Sequence, residues 1–242
     1  MAMSSVFRSI CEQVDKRYII YDARLAGQIS ADWFDPDNWY AHADVQALAV
    51  DRGQSWLIHS VTEDYVLHHY CRSTAAAKPM ADWYLWLGLM RTRAWREYQL
   101  LVKLQDFDLP APRPLAARVQ QQGCFYQADL LTRHIPASQS LSHILAAQAL
   151  DASLWQAIGK GIRAFHRRNI YHAKLNAQNI LLDKTGRIYL IDFDKSGIDQ
   201  DKSWQQRILE RLHRSLLKLH AQDSGMHFSE ADWQSLLAGY NS

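Results

Sequence analysis

Twenty-three residues, His172 to Asp194, constrain the fold more than any other stretch of the chain. They read HAKLNAQNILLDKTGRIYLIDFD. Two short apolar runs, Asn179 to Leu182 and Arg187 to Ile191, are joined by Asp183-Lys184-Thr185-Gly186. A glycine at the end of so short a loop is a hairpin signal. A hairpin returns the chain on itself, so Asn179 and Asp192, thirteen residues apart, come to adjacent strands. An amide oxygen and a carboxylate held side by side can face one hard cation.

The rest of the chain divides around this hairpin. Tyr18 to Tyr21, Ser55 to His59 and Tyr65 to Tyr70 are short runs rich in aromatic and β-branched residues, as strands prefer. Gly53 is expected in the turn before Ser55. Leu100, Leu101 and Leu104 lie at helical spacing and predict a helix from Arg91 to Gln105 that also carries Glu97. Three prolines in LPAPRPL, Leu109 to Leu115, then break regular structure. Cys124 to Leu131 reads as a strand that enters a connector between Leu131 and Ser138. Beyond it, Leu154, Ile158, Ile162 and Phe165 mark one face of a buried helix. The tail from Trp204 onward reads as helical, with Ser229 and Asp232 spaced as a capping box. This order predicts an α+β protein of two lobes, a strand-rich N-terminal lobe with one helix over 1–131 and a helical lobe with the inserted hairpin over 132–242.

At 242 residues the chain can build either one large core or two small ones. Its 48% apolar and 21% charged content is ordinary for a globular protein. A net charge of +2 is too small to imply nucleic acid as a partner. Three widely spaced cysteines, without a CxxC pair, argue against a disulfide framework or a zinc site and fit a reducing cytoplasm. The charged N-terminus has no signal-peptide core, and no stretch approaches the ~20 apolar residues of a membrane helix. The chain is expected to be soluble or peripheral.

HAKLNAQNILLD and YLIDFDK resemble the lipopolysaccharide Kdo kinases, a family with the protein-kinase-like fold. Its catalytic loop reads H-x-D-x-x-x-x-N, followed by a hairpin and an Asp-Phe-Asp segment. The likeness extends to Trp95–Val119, to CFYQADLLTRHI and to FDPDNWY, and covers roughly Phe34 to Tyr240. It implies ATP and magnesium as cofactors, with transfer of the γ-phosphoryl group to the 4-hydroxyl of Kdo on a lipid A precursor. The place of work it implies is the cytoplasmic face of the bacterial inner membrane, with peripheral attachment. It further implies that Asn179 and Asp192 bind the metal and that His172 shapes the loop. Glu97 would pair with a base from the N-lobe sheet. His68 falls at that base's position, and Gly53 is what remains of a glycine-rich stretch over the phosphates.

The sequence departs from the family where phosphate is handled. Lys174 stands where the family has its catalytic Asp. An ammonium, with a reference pKa of about 10.4, donates and cannot accept a proton at neutral pH. His68 replaces Arg or Lys, and RSTAAAKP, Arg72 to Pro79, replaces a Gly-Gly, with Lys78 as a substitute cation. Three readings therefore stand: a Kdo kinase, which the segment LNAQNILL favours; a pseudokinase that binds nucleotide or the lipid acceptor without transfer; and a small-molecule phosphotransferase of the aminoglycoside or choline type, which shares the loop spacing but also needs the missing Asp. Asp194 reads as a surface charge, a second metal ligand or a substitute base. His68 and His69 point to opposite strand faces, one expected packed and the other exposed. Trp83, Trp86 and Trp95 among Arg91, Arg93 and Arg96 suit either an amphipathic helix packed on its own lobe or a membrane interface.

Overall fold

The computed structural model describes residues 7–40, 43–48, 53–72, 80–223 and 225–242. Arg52 and Lys78 lie outside them. The fold is α+β, and the chain clusters into two compact units: residues 1–107 with 112–134, and 108–111 with 135–242.

Unit 1 is an antiparallel sheet. Its strands are β1 (Ser9–Val14), β2 (Arg17–Asp22), β3 (Asp44–Leu48), β4 (Gly53–His59), β5 (Asp64–Tyr70), β6 (Tyr84–Leu85), β7 (Pro114–Gln122) and β8 (Phe125–Arg133). They run in the order β1-β2-β7-β8-β5-β4-β3, and β6 adds to β8. One face carries α2 (Arg93–Asp106), whose Tyr98, Leu101 and Leu104 are buried. Against the other face lies a second cluster, in which Phe34, Ile58, Leu67 and Leu131 meet Trp33, Trp39 and Trp56. The short α1 (Pro36–Tyr40) follows Phe34.

Two expectations for this unit need correction. Gly53 is not in a turn; it opens β4 and pairs with Tyr70. The segment from Trp83 is not an amphipathic helix, because backbone pairing claims it first. Tyr84 and Leu85 bond to Tyr126 and Phe125 of β8, and Gly88 then turns the chain at φ 97. The helix starts only at Arg93.

Unit 2 takes in residues 108–111 and opens with a short strand rather than a helix, because Ser138–Ser140 pairs with the hairpin. It runs through β9 (Ser138–Ser140), α3 (Leu141–Ala147), α4 (Ala152–Arg167), β10 (Ile170–Tyr171), β11 (Ile180–Asp183), β12 (Ile188–Leu190), β13 (Gly197–Ile198), α5 (Trp204–Gln222) and α6 (Glu230–Asn241). Asp151 caps α4 by accepting from the Leu154 N–H at 2.8 Å, and Ser229 with Asp232 forms the capping box of α6. Helices α4 and α6 cross backbone to backbone. A Cβ on Gly159 would lie 2.0 Å from the Leu236 carbonyl, and one on Gly239 2.1 Å from that of Gln156. Only glycine at both positions allows that approach. The hairpin β11–β12 pairs Ile180 with Leu190 and Leu182 with Ile188, and places Asn179 and Asp192 at its open end.

Candidate functional site

The loop from His172 to Asn179 is held rigid by partners on several sides. Ile170 and Tyr171 pair with Ile198 and Gly197, which brings the loop's start beside Ser196. The Ala173 N–H donates to Ser196 Oγ at 3.0 Å, and Arg211 donates to the Ala173 carbonyl. Leu175 is fully buried and anchors the middle of the loop. Asn176 Oδ1 accepts the N–H groups of Gln178 and Asn179 at 2.8 and 3.0 Å and caps a single 3-10 turn.

His172 is 1% exposed. Its Nε2 donates to the Ile191 carbonyl at 2.9 Å, while its Nδ1 accepts from the Lys174 N–H at 3.2 Å. A ring that donates on one nitrogen and accepts on the other is neutral. Burial agrees, pushing the imidazole down to about 4. His172 therefore serves as a fixed brace between the loop and the strand leading to Asp192.

Asn179 sits in the turn before β11 rather than within the strand, and its carbonyl accepts the Ile191 N–H at 3.0 Å. That bond closes the hairpin's open end and carries Asp192 next to the loop. The Asn179 Nδ2 donates to the Lys174 carbonyl at 2.9 Å, which leaves Oδ1 as the atom a cation can use. Asp192 has φ 61, in the left-handed region that Asp tolerates better than most residues. Strain of this kind persists where the surroundings over-determine it, often at functional sites. Phe193, 1% exposed, stacks on Phe165 and lies 4.6 Å from the His172 ring, so the Asp-Phe-Asp turn is nailed into the core by its middle residue.

Lys174 occupies the centre of this arrangement. Its Nζ lies 2.9 and 3.0 Å from the two oxygens of Asp192 and 3.0 Å from Asp194 Oδ2. Burial alone would lower the ammonium's pKa. The charges and hydrogen bonds of Asp192 and Asp194 outweigh burial and raise it. Lys174 is thus firmly cationic. Asp194 is not a surface charge: its side chain is 1% exposed, against 25% for Asp192. The two carboxylates around one ammonium, and the amide oxygen left open on Asn179, are hard-oxygen donors of the kind that suits magnesium. The donors fit the metal.

The proposed nucleotide-handling residues of unit 1 are partly linked. Tyr70 donates to Glu97 Oε2 at 2.6 Å, and the edge of its ring meets His68 with centroids 4.8 Å apart. His68 Nδ1 lies 2.7 Å from Ser55 Oγ. Gly53 is two residues along β4 from Ser55. His68 and His69 do point to opposite faces, but both are half-buried rather than one being exposed. His69 belongs to a separate network with Asp129, Asp82 and Arg118. Sequence reading missed the residues that hold the loop. Asn176, an Asn ahead of a turn, was findable from its cap chemistry. Ser196 and Arg211 act across 23 and 38 residues and leave no local signal.

A strand-rich unit with one long helix, and a helical unit bearing this loop, hairpin and Asp-Phe-Asp turn, define an α+β protein of the kinase-like class. The model of the lipopolysaccharide kinase (Kdo/WaaP) family matches residues 37–240, and the chain belongs to that family. Its relatives include the 3-deoxy-D-manno-octulosonic acid kinase of Vibrio vulnificus (strain YJ016), 36% identical over 96% of this chain and 98% of the relative. The protein of the same name from Stenotrophomonas maltophilia (strain R551-3) is 40% identical over 85% of this chain and 82% of its own. That of Haemophilus influenzae (strain 86-028NP) is 35% identical over 95% and 98%.

Proposed function

We propose that the chain is an ATP-dependent kinase that phosphorylates the 4-hydroxyl of Kdo on a lipid A precursor at the cytoplasmic face of the inner membrane. The observation that carries this reading is the pairing of Asp192 and Asp194 around one ammonium at the open end of the hairpin, with the Asn179 amide bonded to the backbone of the same lysine. Asp192 and the Asn179 Oδ1 are the groups that would hold magnesium, which supplies positive charge against the phosphate oxygens. For that role Lys174 must release Asp192. Its flexible four-carbon stem permits the swing, and the buried Asp194 keeps the ammonium tethered. In the transfer, the acceptor oxygen bonds to the γ-phosphorus as the bond to the bridging oxygen of ATP breaks, with ADP leaving. The acceptor's proton needs a base. Lys174 can only donate, and Asp194 is buried and paired with it, so turnover is expected to be slow.

The same ion pairs favour a second reading, a nucleotide- or lipid-binding protein that transfers nothing. Incubating purified protein with ATP, magnesium and a Kdo-bearing lipid A precursor separates the two. Mass spectrometry of the lipid should show the gain of one phosphate, faster than without protein. Nucleotide binding with no lipid product would sink the kinase reading in favour of the second.

A further inference from the structure

The segment from Met80 to Arg96 offers solvent a different set of side chains from the tryptophans that its sequence brings forward. Its tryptophans are half-buried or buried: Trp86 stacks on Tyr18 with ring centroids 5.7 Å apart and meets the edge of Tyr126, and Trp95 is 8% exposed. The side chains that face solvent are aliphatic. Met80 is 49% exposed, Leu85 55%, Leu87 60% and Met90 67%.

A floppy loop would hide such groups by folding them back, but this one is tied in place. The Trp86 N–H donates to the Cys124 carbonyl at 2.8 Å, and the Arg72 N–H to that of Ala81 at 2.6 Å. The Arg72 guanidinium donates to the Trp83 carbonyl at 2.7 Å, and Arg93 donates to the Tyr84 hydroxyl at 2.5 Å. The apolar ridge is therefore displayed by design of the backbone, which single scattered surface leucines are not.

Its surroundings are basic. Arg91 and Arg96 are exposed at its end. Through the Tyr18–Trp86 stack the β1–β2 turn stands beside it, contributing exposed Val14, Lys16 and Arg17. Residues 14–17 and 80–96 together hold four exposed basic groups, Lys16, Arg17, Arg91 and Arg96, beside the half-buried Arg93, against two acidic ones, Asp15 and Asp82. Asp82 is engaged by His69 and Gln127.

We propose that this ridge docks unit 1 onto an anionic phospholipid bilayer, with Leu85, Leu87 and Met90 entering the headgroup–acyl boundary and the basic groups meeting lipid phosphates. The proposal rests on the reading of a lipid-linked acceptor only for its purpose; the charge and exposure stand without it. Apolar insertion and electrostatic attraction add in such interfaces, and the attraction is screened by salt. A protein partner or second copy would use the aliphatic ridge but gains less from the exposed Lys16, Arg17, Arg91 and Arg96.

The test is co-sedimentation with vesicles of phosphatidylcholine containing a third phosphatidylglycerol. The L85S/L87S/M90S triple variant should lose about tenfold or more in partitioning. The R91Q/R96Q double variant should lose several-fold on anionic vesicles and nothing on pure phosphatidylcholine. Matching thermal melts would show that the variants fold. Phosphoryl transfer to a water-soluble Kdo fragment should be unchanged in the triple variant, so a failed docking idea and a failed kinase reading give different results. Equal partitioning of wild type and triple variant would overturn the proposal. So would sedimentation showing a wild-type dimer that the triple variant dissolves, since the ridge would then belong to a second copy.

Discussion

In unit 1, Asp129 gives one oxygen to His69 at 2.7 Å and the other to Arg118 at 2.8 Å, with its side chain 5% exposed. In unit 2, Asp192 gives both oxygens to the single ammonium of Lys174, with its side chain 25% exposed and its backbone left-handed. The components are alike, carboxylates and cations, yet the arrangements differ in kind. Each Asp129 oxygen has its own donor, and those donors are tied elsewhere: Arg118 reaches the Phe34 carbonyl at 3.2 Å and His69 reaches Asp82 at 3.4 Å. The row Gln54–His69–Asp129–Arg118 runs in register across four strands and fastens the Ala31–Phe34 turn to the sheet. Nothing there can leave without stranding a buried charge. The Lys174 ammonium, by contrast, sits on a flexible stem and has a second carboxylate to retreat to. A closed network is a staple, whereas one shared by a mobile cation is exchangeable.

The largest expected effect tests the staple. Asp129→Ala removes the carboxylate shared by His69 and Arg118 and should cost about 3–5 kcal/mol of stability. Asp192→Ala, at a half-open site whose ammonium keeps Asp194 as a partner, should cost only about 1 kcal/mol, part of it from placing Ala at a left-handed φ. Urea unfolding of both variants measures the gap. Equal losses would break the comparison.

Acid should separate the two units next. His166 and His172 in unit 2 are held down to about 4, burial being the leading cause for each. The unfolded chain therefore binds more protons below 6.5, and stability falls as pH drops from 6.5 towards 4. At pH 5 that amounts to about 2 kcal/mol for each group. His69 runs the other way. Burial would lower its pKa, but the Asp129 and Asp82 hydrogen bonds and charges raise it. Its contribution is fully present below 6.5 and is lost as pH rises through the folded value. His134, also in unit 1, is lowered by burial, so the His69 effect is read as wild type minus His69→Gln. Hydrogen-exchange protection should fall in α4 between pH 7.5 and 5. The wild-type advantage over His69→Gln in β5 and β8 should grow over the same range. An advantage that shrinks with acid would mean His69 is neutral in the fold.

How far such differences could be read from sequence depends on range. The hairpin, the α4 stripe of Ile158, Ile162 and Phe165, and the Ser229–Asp232 box are set by neighbours a few residues away, and their patterns survive in the chain. The fully buried Trp155 lies on the same face, three residues before Ile158 and seven before Ile162, and the stripe starts there rather than at the half-buried Leu154. Of the three readings of Asp194, the surface charge fails because Phe193 is packed into the core beside it and takes Asp194 out of solvent. The Trp83–Arg96 pattern resembled a helix until pairing with β8 took it. The Lys174 cluster was visible as a misplaced charge, but its grip on both carboxylates spans 18 and 20 residues and depends on the Asn179–Ile191 bond.

The smallest energy concerns that cluster and sharpens the comparison most. Lys174→Asp exchanges the ammonium for the carboxylate that the family resemblance implies. Three carboxylates would then crowd one position, and their repulsion is relieved only by a cation. The variant's melting temperature should therefore fall without magnesium and recover with it, while the wild type, which carries its own cation, should respond little. A carboxylate at 174 can accept the acceptor's proton and frees Asp192 from its ion pair. A positioned general base typically contributes about 10²–10⁴-fold. His68 remains at the basic position of β5, so we expect a smaller gain, at least about tenfold in phosphoryl transfer to a Kdo acceptor, equivalent to roughly 1.4 kcal/mol. Nucleotide affinity should hold or fall slightly as the positive charge is lost. Wild-type turnover at an ordinary kinase rate, slowed by the substitution, would show that Lys174 works in the reaction and that Asp194 is the better choice of base. Nucleotide binding by both proteins without transfer by either would place the block at His68 and around Gly53 as well, and the binding-only reading would hold.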